Sequence, residues 1–136
     1  LNVLESMIRG KRVILIDDSI IKGMTAKHII GLLRKAGATE VHLRISSPPV
    51  FNTCYFGTTI NDRGSLITSS MMVGQICEAV GADSLGFASV DGIHSVGGME
   101  DIGICDACFT GNYPMQVDEQ EYFNKYDFKI GEEPNV

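Results

Sequence analysis

Two groups of side chains in this 136-residue sequence have types and spacing suited to chemistry. The first is the run VILIDDSIIKGMT, Val13 to Thr25. Four apolar residues deliver two consecutive carboxylates, Asp17 and Asp18, followed by hydroxyls at Ser19 and Thr25 and a glycine at Gly23. If the apolar run is a parallel strand, the acids stand at its carboxyl end, where open α/β sheets bind ligands. The helix that follows would present free N–H groups and the positive end of its dipole. Carboxylates suit ribose hydroxyls or Mg²⁺, and a loop of N–H and hydroxyl donors suits a phosphate monoester. The competing reading is structural: Asp17 and Asp18 as a turn and helix cap. The run is neither G-x-x-x-x-G-K-[ST] nor G-x-G-x-x-G.

The second group is the cysteines, Cys54, Cys77, Cys105 and Cys108. Cys105 and Cys108 form a C-x2-C pair, which can grip one metal centre but does not complete a four-ligand site. Cys54 is a candidate third ligand. Cys77 lies in the apolar helical pattern MMVGQICEAVG and reads as a buried small hydrophobe. Nothing marks the chain for secretion, so reduced thiols are expected. Of the histidines, His28 reads as helix surface or packing, His42 as the far side of a strand, and His94 carries no recognised chemistry.

These residues need a scaffold, and the pattern supplies one. KRVILI (11–16) is a short buried strand. AKHIIGLLRKAGA shows an apolar stripe at Ala26, Ile29, Ile30, Leu33 and Ala36, with Arg34 and Lys35 at its negative end and Gly37 as its stop. EVHLRISS alternates Val41, Leu43 and Ile45 with polar residues, a second strand ended by Pro48 and Pro49. This is a right-handed βαβ unit. Residues 50–64 are irregular, with a short extended piece near Thr58–Ile60. Residues 65–80 read as one or two helices stopped by Gly81, and SLGFASV (84–90) as a third strand. Glycine density after Ser95 argues against strands or long helices through the C-x2-C pair. The fold class is α/β, a parallel sheet with helices on both faces.

Composition narrows the function. The net charge is −6, and there is no basic helix, which disfavours nucleic-acid binding. At 44% hydrophobic and 21% charged residues the chain is ordinary globular, not disordered. No apolar run approaches the ~18 residues of a membrane span. The first residues lack a basic start followed by an apolar stretch, so no export signal is expected and the expected location is cytoplasmic. The chain opens on Leu1 and reads as a cloned fragment or an incomplete gene product.

The apolar run, paired acids and hydroxyl-bearing loop resemble the phosphoribosyl pyrophosphate (PRPP) motif of type I phosphoribosyltransferases. DDSIIKGMT resembles the DDSIVRGTT form of the glutamine PRPP amidotransferase family. AGATEVHLRISSPP, Cys54-Tyr55-Phe56-Gly57, GADSLGF and CDACFTGNYP agree with it in the same order. The resemblance covers about residues 8–116. It implies that residues 1–116 are the C-terminal part of a type I phosphoribosyltransferase domain and that 117–136 form an acidic tail beyond it.

The resemblance also assigns roles. It implies that Asp17 and Asp18 hold the ribose hydroxyls and Mg²⁺ of PRPP, and that Ser19, Ile20, Ile21, Lys22, Gly23, Met24 and Thr25 cradle the 5′-phosphate. Cys54, Cys105 and Cys108 match three of four ligands of a [4Fe–4S] cluster, the fourth lying outside this chain. Lys22 stands where Arg is usual and Met24 where Thr is usual, which removes a bidentate fork and a hydroxyl. The implied reaction of the whole enzyme joins glutamine-derived ammonia to C1 of PRPP and releases pyrophosphate, giving 5-phosphoribosylamine in purine synthesis. Nothing in these residues corresponds to the glutaminase domain or to the first half of the transferase domain. Purine nucleotides and a homo-oligomeric whole enzyme are implied partners. The alternatives are a non-catalytic PRPP or nucleotide-binding module and a metal-stapled structural fragment. A partial domain would leave a strand edge and part of the core uncovered, so instability or self-association of the chain is expected.

Overall fold

The structure is a computed structural model that describes residues 3–57, 60, 63–96 and 103–117. Its centre is a three-stranded parallel sheet in the order β1 (Arg12–Asp17), β2 (Glu40–Ile45), β3 (Ser84–Phe87). The register sets Val13 beside Val41, Leu15 beside Leu43 and Asp17 beside Ile45, then Leu43 beside Leu85 and Ile45 beside Phe87.

A one-turn helix, α1 (Glu5–Ile8), precedes β1. Between β1 and β2 runs α2 (Met24–Lys35), which buries Ala26, Ile30 and Leu33 at helical spacing. Its end is tied down by Arg34, which donates to the Thr39 carbonyl at 3.0 Å and pairs with Asp83 at 2.5 Å. The same Asp83 oxygen accepts the Val41 N–H at 2.6 Å, so one ion pair joins α2, β2 and the approach to β3.

The region expected to be one or two helices divides into two 3-10 turns, Arg63–Ser65 and Ile67–Ser69, and α3 (Val73–Val80). The break falls at Met72, whose backbone is extended and whose N–H is taken by the Gln75 side chain at 2.8 Å. The third strand is shorter than expected. It ends at Phe87 because the Ser89 hydroxyl accepts the Gly92 N–H at 2.9 Å and starts α4 (Val90–His94). A last short helix, α5 (Ala107–Thr110), holds Cys108. Of the extended piece expected near Thr58–Ile60, Ile60 pairs with Cys54 in an isolated antiparallel bridge, while Thr58 and Thr59 lie outside the described residues. So do 97–102 and the acidic tail from 118 onward.

The core gathers Ile30 and Leu33 of α2, Val41, Leu43 and Ile45 of β2, and Ile76 and Val80 of α3 into one apolar cluster. Both long helices therefore pack on one face of the sheet, where helices on both faces were expected. On the opposite face Ile14 and Ile16 of β1 are 67% and 72% exposed. Beside them a polar chain crosses all three strands: Arg12 donates to Glu40, Glu40 meets His42, and the Ser84 hydroxyl meets both His42 and Arg44. The Arg12 guanidinium and then His42 hold the Glu40 carboxyl below the usual range. His42 thus faces away from the core, as its place in the alternation predicts. Among the described residues no helix is long and apolar enough to cross a membrane.

Candidate functional site

The carboxyl end of β1 opens into a cleft of about 530 Å³ lined by every residue from Asp17 to Ala26. All nine loop residues singled out in the sequence thus share one concavity. Asp17, the last residue of β1, accepts the Asp18 N–H on its carboxylate at 3.1 Å. Asp18 is exposed, and its Oδ1 accepts both the Ser19 N–H at 2.6 Å and the Ser19 hydroxyl at 3.2 Å. The chain then dips inward at Ile20, which is buried, and returns to the surface at Lys22.

Neither acid caps the helix. The residue that precedes α2 is Gly23, at φ +75°, so the cap half of the structural reading fails. An L side chain is disfavoured at that φ, and a Cβ on Gly23 would stand 2.7 Å from Ile67 Cδ1. At the positions where the family resemblance expects Arg and Thr, Lys22 and Met24 are both exposed at the cleft, Met24 to 76%.

The loop is held from two sides by residues that the sequence did not single out. The parallel ladder continues past the strands: Ser46 N–H donates to the Asp17 carbonyl at 2.9 Å and Ser47 N–H to the Asp18 carbonyl at 3.0 Å. The Ser46 hydroxyl also donates to the Asp17 carbonyl, at 3.2 Å. From below, Ile67 N–H donates to the Ile21 carbonyl at 2.7 Å. The paired acids are therefore fixed through their backbone while their carboxylates face the cleft. The N-terminal turn of α2 adds N–H groups that have no partner within the helix. Such a surface accepts hydrogen bonds at one end and donates them at the other, which matches a polyol phosphate.

A second hollow, about 280 Å³, is lined by Cys54, Cys105 and Cys108 together with Tyr55, Phe56, Phe109 and Tyr113. Three of the four cysteines thus line one hollow, and Cys77 does not. Cys77 sits on α3, where its thiol donates to the Ala82 carbonyl at 3.3 Å and burial pushes it up. The two thiol-bearing segments are laced together, because the Cys108 carbonyl accepts the N–H groups of both Phe51 and Asn52 at 3.0 Å. Burial, and then the neighbouring Cys54, push the Cys108 thiol up. Among the described residues no three His, Cys, Asp or Glu side chains are gathered tightly enough to hold a single metal ion.

His94 acquires a partner that the sequence did not indicate. Its Nε2 lies 3.0 Å from Asp106 Oδ2, between the two cysteines of the C-x2-C pair, and this contact is the main cause that holds the Asp106 carboxyl low. His28 is exposed on α2, as expected. A third hollow of about 250 Å³ joins the two regions, with Ser19, Ile21 and Ser47 on one side and Cys108 and Phe109 on the other.

Parallel strands, an acidic loop at the carboxyl end of the first, and a helix starting directly after it form an α/β unit with a cleft at the carboxyl end of its sheet. Comparison with known proteins shows what the chain is similar to. The chain is 44% identical over 121 residues to the amidophosphoribosyltransferase of Bacillus subtilis, a match that spans 86% of the chain and 25% of that protein. With the amidophosphoribosyltransferase of Methanocaldococcus jannaschii it shares 40% over 125 residues, 92% of the chain and 26% of that protein. Its fold superposes on the B. subtilis glutamine PRPP amidotransferase solved with ADP and GMP at a TM-score of 0.75 and 42% identity, covering 87% of the chain and 27% of that one. No family model matches the chain. The chain is thus homologous to a segment of the amidophosphoribosyltransferases, and it spans about a quarter of the length of the relatives it matches.

Proposed function

We propose that this chain is the C-terminal part, residues 1–116, of the phosphoribosyltransferase domain of an amidophosphoribosyltransferase, followed by an acidic tail. In this reading it holds the ribose 5-phosphate portion of PRPP in the Asp17–Ala26 cleft. The observation that carries the reading is the pair of acids presented at the carboxyl end of β1, directly before a loop that ends at the N-terminus of α2. Asp17 and Asp18 accept hydrogen bonds from the vicinal ribose hydroxyls, and residues 19–25 take the 5′-phosphate through backbone N–H groups, Ser19 and Thr25.

The longer protein joins glutamine-derived ammonia to C1 of PRPP with loss of pyrophosphate, the first step of purine synthesis. The carboxylates favour positive charge developing on the ribose ring. The phosphate loop contributes binding remote from C1, which orients the ring. No residue of this segment need act as a nucleophile. The same cleft accepts the 5′-phosphate and ribose of a purine nucleotide. The relative solved with ADP and GMP supports that extension.

Mg²⁺ fits the acids by donor chemistry, since both are oxygen ligands on an open cleft. When bound it offsets the charge of pyrophosphate. An iron–sulfur cluster fits the cysteine hollow. Three thiols line one cavity, and thiolates are the ligands such a cluster takes. Cys54, Cys105 and Cys108 would supply three ligands and the rest of the enzyme the fourth. Thiols that bind such a group require a reducing, cytoplasmic location. The exposed Ile14 and Ile16 fit a sheet face that the remainder of an oligomeric enzyme covers.

Calorimetric titration of the chain with PRPP, with and without Mg²⁺, tests the site. Saturable, Mg²⁺-dependent heat that Asp18→Asn weakens by about tenfold or more is expected, since the substitution removes a charge-assisted acceptor. A cooperatively folded chain that gives no heat with PRPP, AMP or GMP would overturn the assignment of the ligand site to these residues.

A further inference from the structure

The cysteine hollow has a clamp made by a residue that carries no thiol. Tyr113 follows α5 and is half-buried. Its hydroxyl donates to the Thr53 carbonyl at 2.7 Å, across 60 residues of sequence. Its ring meets Tyr55 edge-on, with centroids 5.2 Å apart and planes at 65°. Phe56 lies 6.5 Å away and tilted. Thr53, Tyr55 and Phe56 surround Cys54 in sequence, so all three contacts act on the segment that bears that thiol. Tyr113 itself is anchored near the C-x2-C pair, because Gly111 ends α5 in the left-handed region and returns the chain past Asn52.

We propose that Tyr113 is a positioning residue that clamps the Cys54 segment over the C-x2-C turn and shields the half-buried Cys54 and Cys108 thiols from solvent. The hydroxyl fixes the height of residue 53, and the ring forms one wall of the hollow beside Cys54 and Cys108. The hydrogen bonds from Phe51 and Asn52 to the Cys108 carbonyl hold the same two segments at their other end. Cys54 is therefore fixed from both sides. The clamp is independent of what the thiols bind. If they hold a cluster, Tyr113 sets how readily oxidant reaches it.

The test is alkylation of the reduced 136-residue chain by iodoacetamide, with each cysteine followed by mass spectrometry. Tyr113→Phe removes one hydrogen bond and keeps the ring, and Tyr113→Leu removes both. Cys54 and Cys108 should label about five-fold faster in the first, the change in open population that one lost neutral hydrogen bond brings, and faster still in the second. Cys77, on α3 and remote from the clamp, should label at the wild-type rate. Tyr55→Leu should also speed Cys54 by removing the edge-on partner. Unchanged labelling in both Tyr113 variants overturns the proposal. So does an equal rise at Cys54 and Cys77, which would make Tyr113 a contributor to global stability only. After reconstitution with iron and sulfide, the visible absorption of Tyr113→Phe should bleach in air faster than that of wild type by the same factor. A wild-type chain that gains no such absorption shows only that three ligands do not hold a cluster, and the labelling result on Tyr113 stands by itself.

Discussion

Replacing Gly23 with alanine forces two adjustments at once. The residue sits at φ +75°, where an L side chain costs about 1–2 kcal/mol. The new methyl would also stand 2.7 Å from Ile67 Cδ1. That atom is the end of a flexible side chain, so Ile67 can swing off its rotamer at about 0.5–1.5 kcal/mol rather than displace the backbone. Alanine narrows the unfolded ensemble, which returns about 0.4–1 kcal/mol. The net expectation is a destabilisation of about 1–2 kcal/mol, a large share of a domain's marginal stability. Urea unfolding of Gly23→Ala should show a lowered midpoint with an unchanged slope. Ile67→Val removes the offending carbon alone, so the two costs can be separated. In Gly23→Ala/Ile67→Val the loss should be smaller than the sum of the single variants by about 0.5–1.5 kcal/mol, the part due to the methyl contact. PRPP affinity should fall in both Gly23 variants, because relief of the positive φ at residue 23 shifts the neighbouring loop N–H groups. A Gly23→Ala chain as stable as wild type within about 0.3 kcal/mol, or a strictly additive cycle, would refute the claim that Gly23 is required by its conformation and by Ile67.

Two further outcomes follow from the scaffold. The Asp83 carboxyl is held below its ordinary value by the Val41 N–H and then by Arg34, so its contribution to stability is present above the usual carboxylate range and is lost as pH falls through the depressed value. Asp83→Asn should flatten that acid limb of stability against pH in chemical denaturation, and an unchanged limb would assign it to other groups. On the open face, Ile14→Thr with Ile16→Thr should lower the self-association of the chain in sedimentation velocity at little cost in stability, since both side chains are mostly exposed; an unchanged mass distribution would place the association surface elsewhere.

How legible each feature was depended on how local its cause is. The apolar run 13–16, rich in β-branched residues, and the alternation of Val41, Leu43 and Ile45 are local, and both gave strands at nearly the right limits. Gly23 and Gly81 were readable because positive φ is a property of one residue. The end of β3 was missed because a single hydroxyl, Ser89, redirects a chain whose composition still favours a strand. The bare sheet face was not readable at all, since alternation says which side chains share a face and not whether a helix covers it. Ile14 and Ile16 look in sequence like any buried pair. Among the thiols, spacing alone joined Cys105 to Cys108. Cys54 was a candidate third ligand that the family resemblance strengthened, and the fold places it at the same hollow. The supports of both sites, Ser46, Ser47, Ile67 and Tyr113, act through backbone carbonyls of residues distant in sequence, and no residue type announces such a contact.

The two hollows are parts of one structure rather than neighbours by accident. After β2, the segment from Ser46 to Gly57 first pairs with the backbone of Asp17 and Asp18 and then with the carbonyl of Cys108. This link thus has the acidic loop at one end and the thiols at the other. Cys108 and Phe109 complete the connection from the opposite side, because they line the cysteine hollow and also the cavity behind Ser19 and Ile21. Cys108 and Phe109 of α5 thus stand across that cavity from Ser19, Ile21 and Ser47 and form its far wall. The loop needs that wall: its own fixed points are Ser46 and Ser47 above and Ile67 below, all acting on backbone carbonyls. Side-chain support for Ile21 comes from the apolar cluster of Val50, Ile60 and Leu66, against which Cys54, Cys108 and Phe109 also pack. The placement of the acids and the placement of the thiols are consequently two results of the same small core.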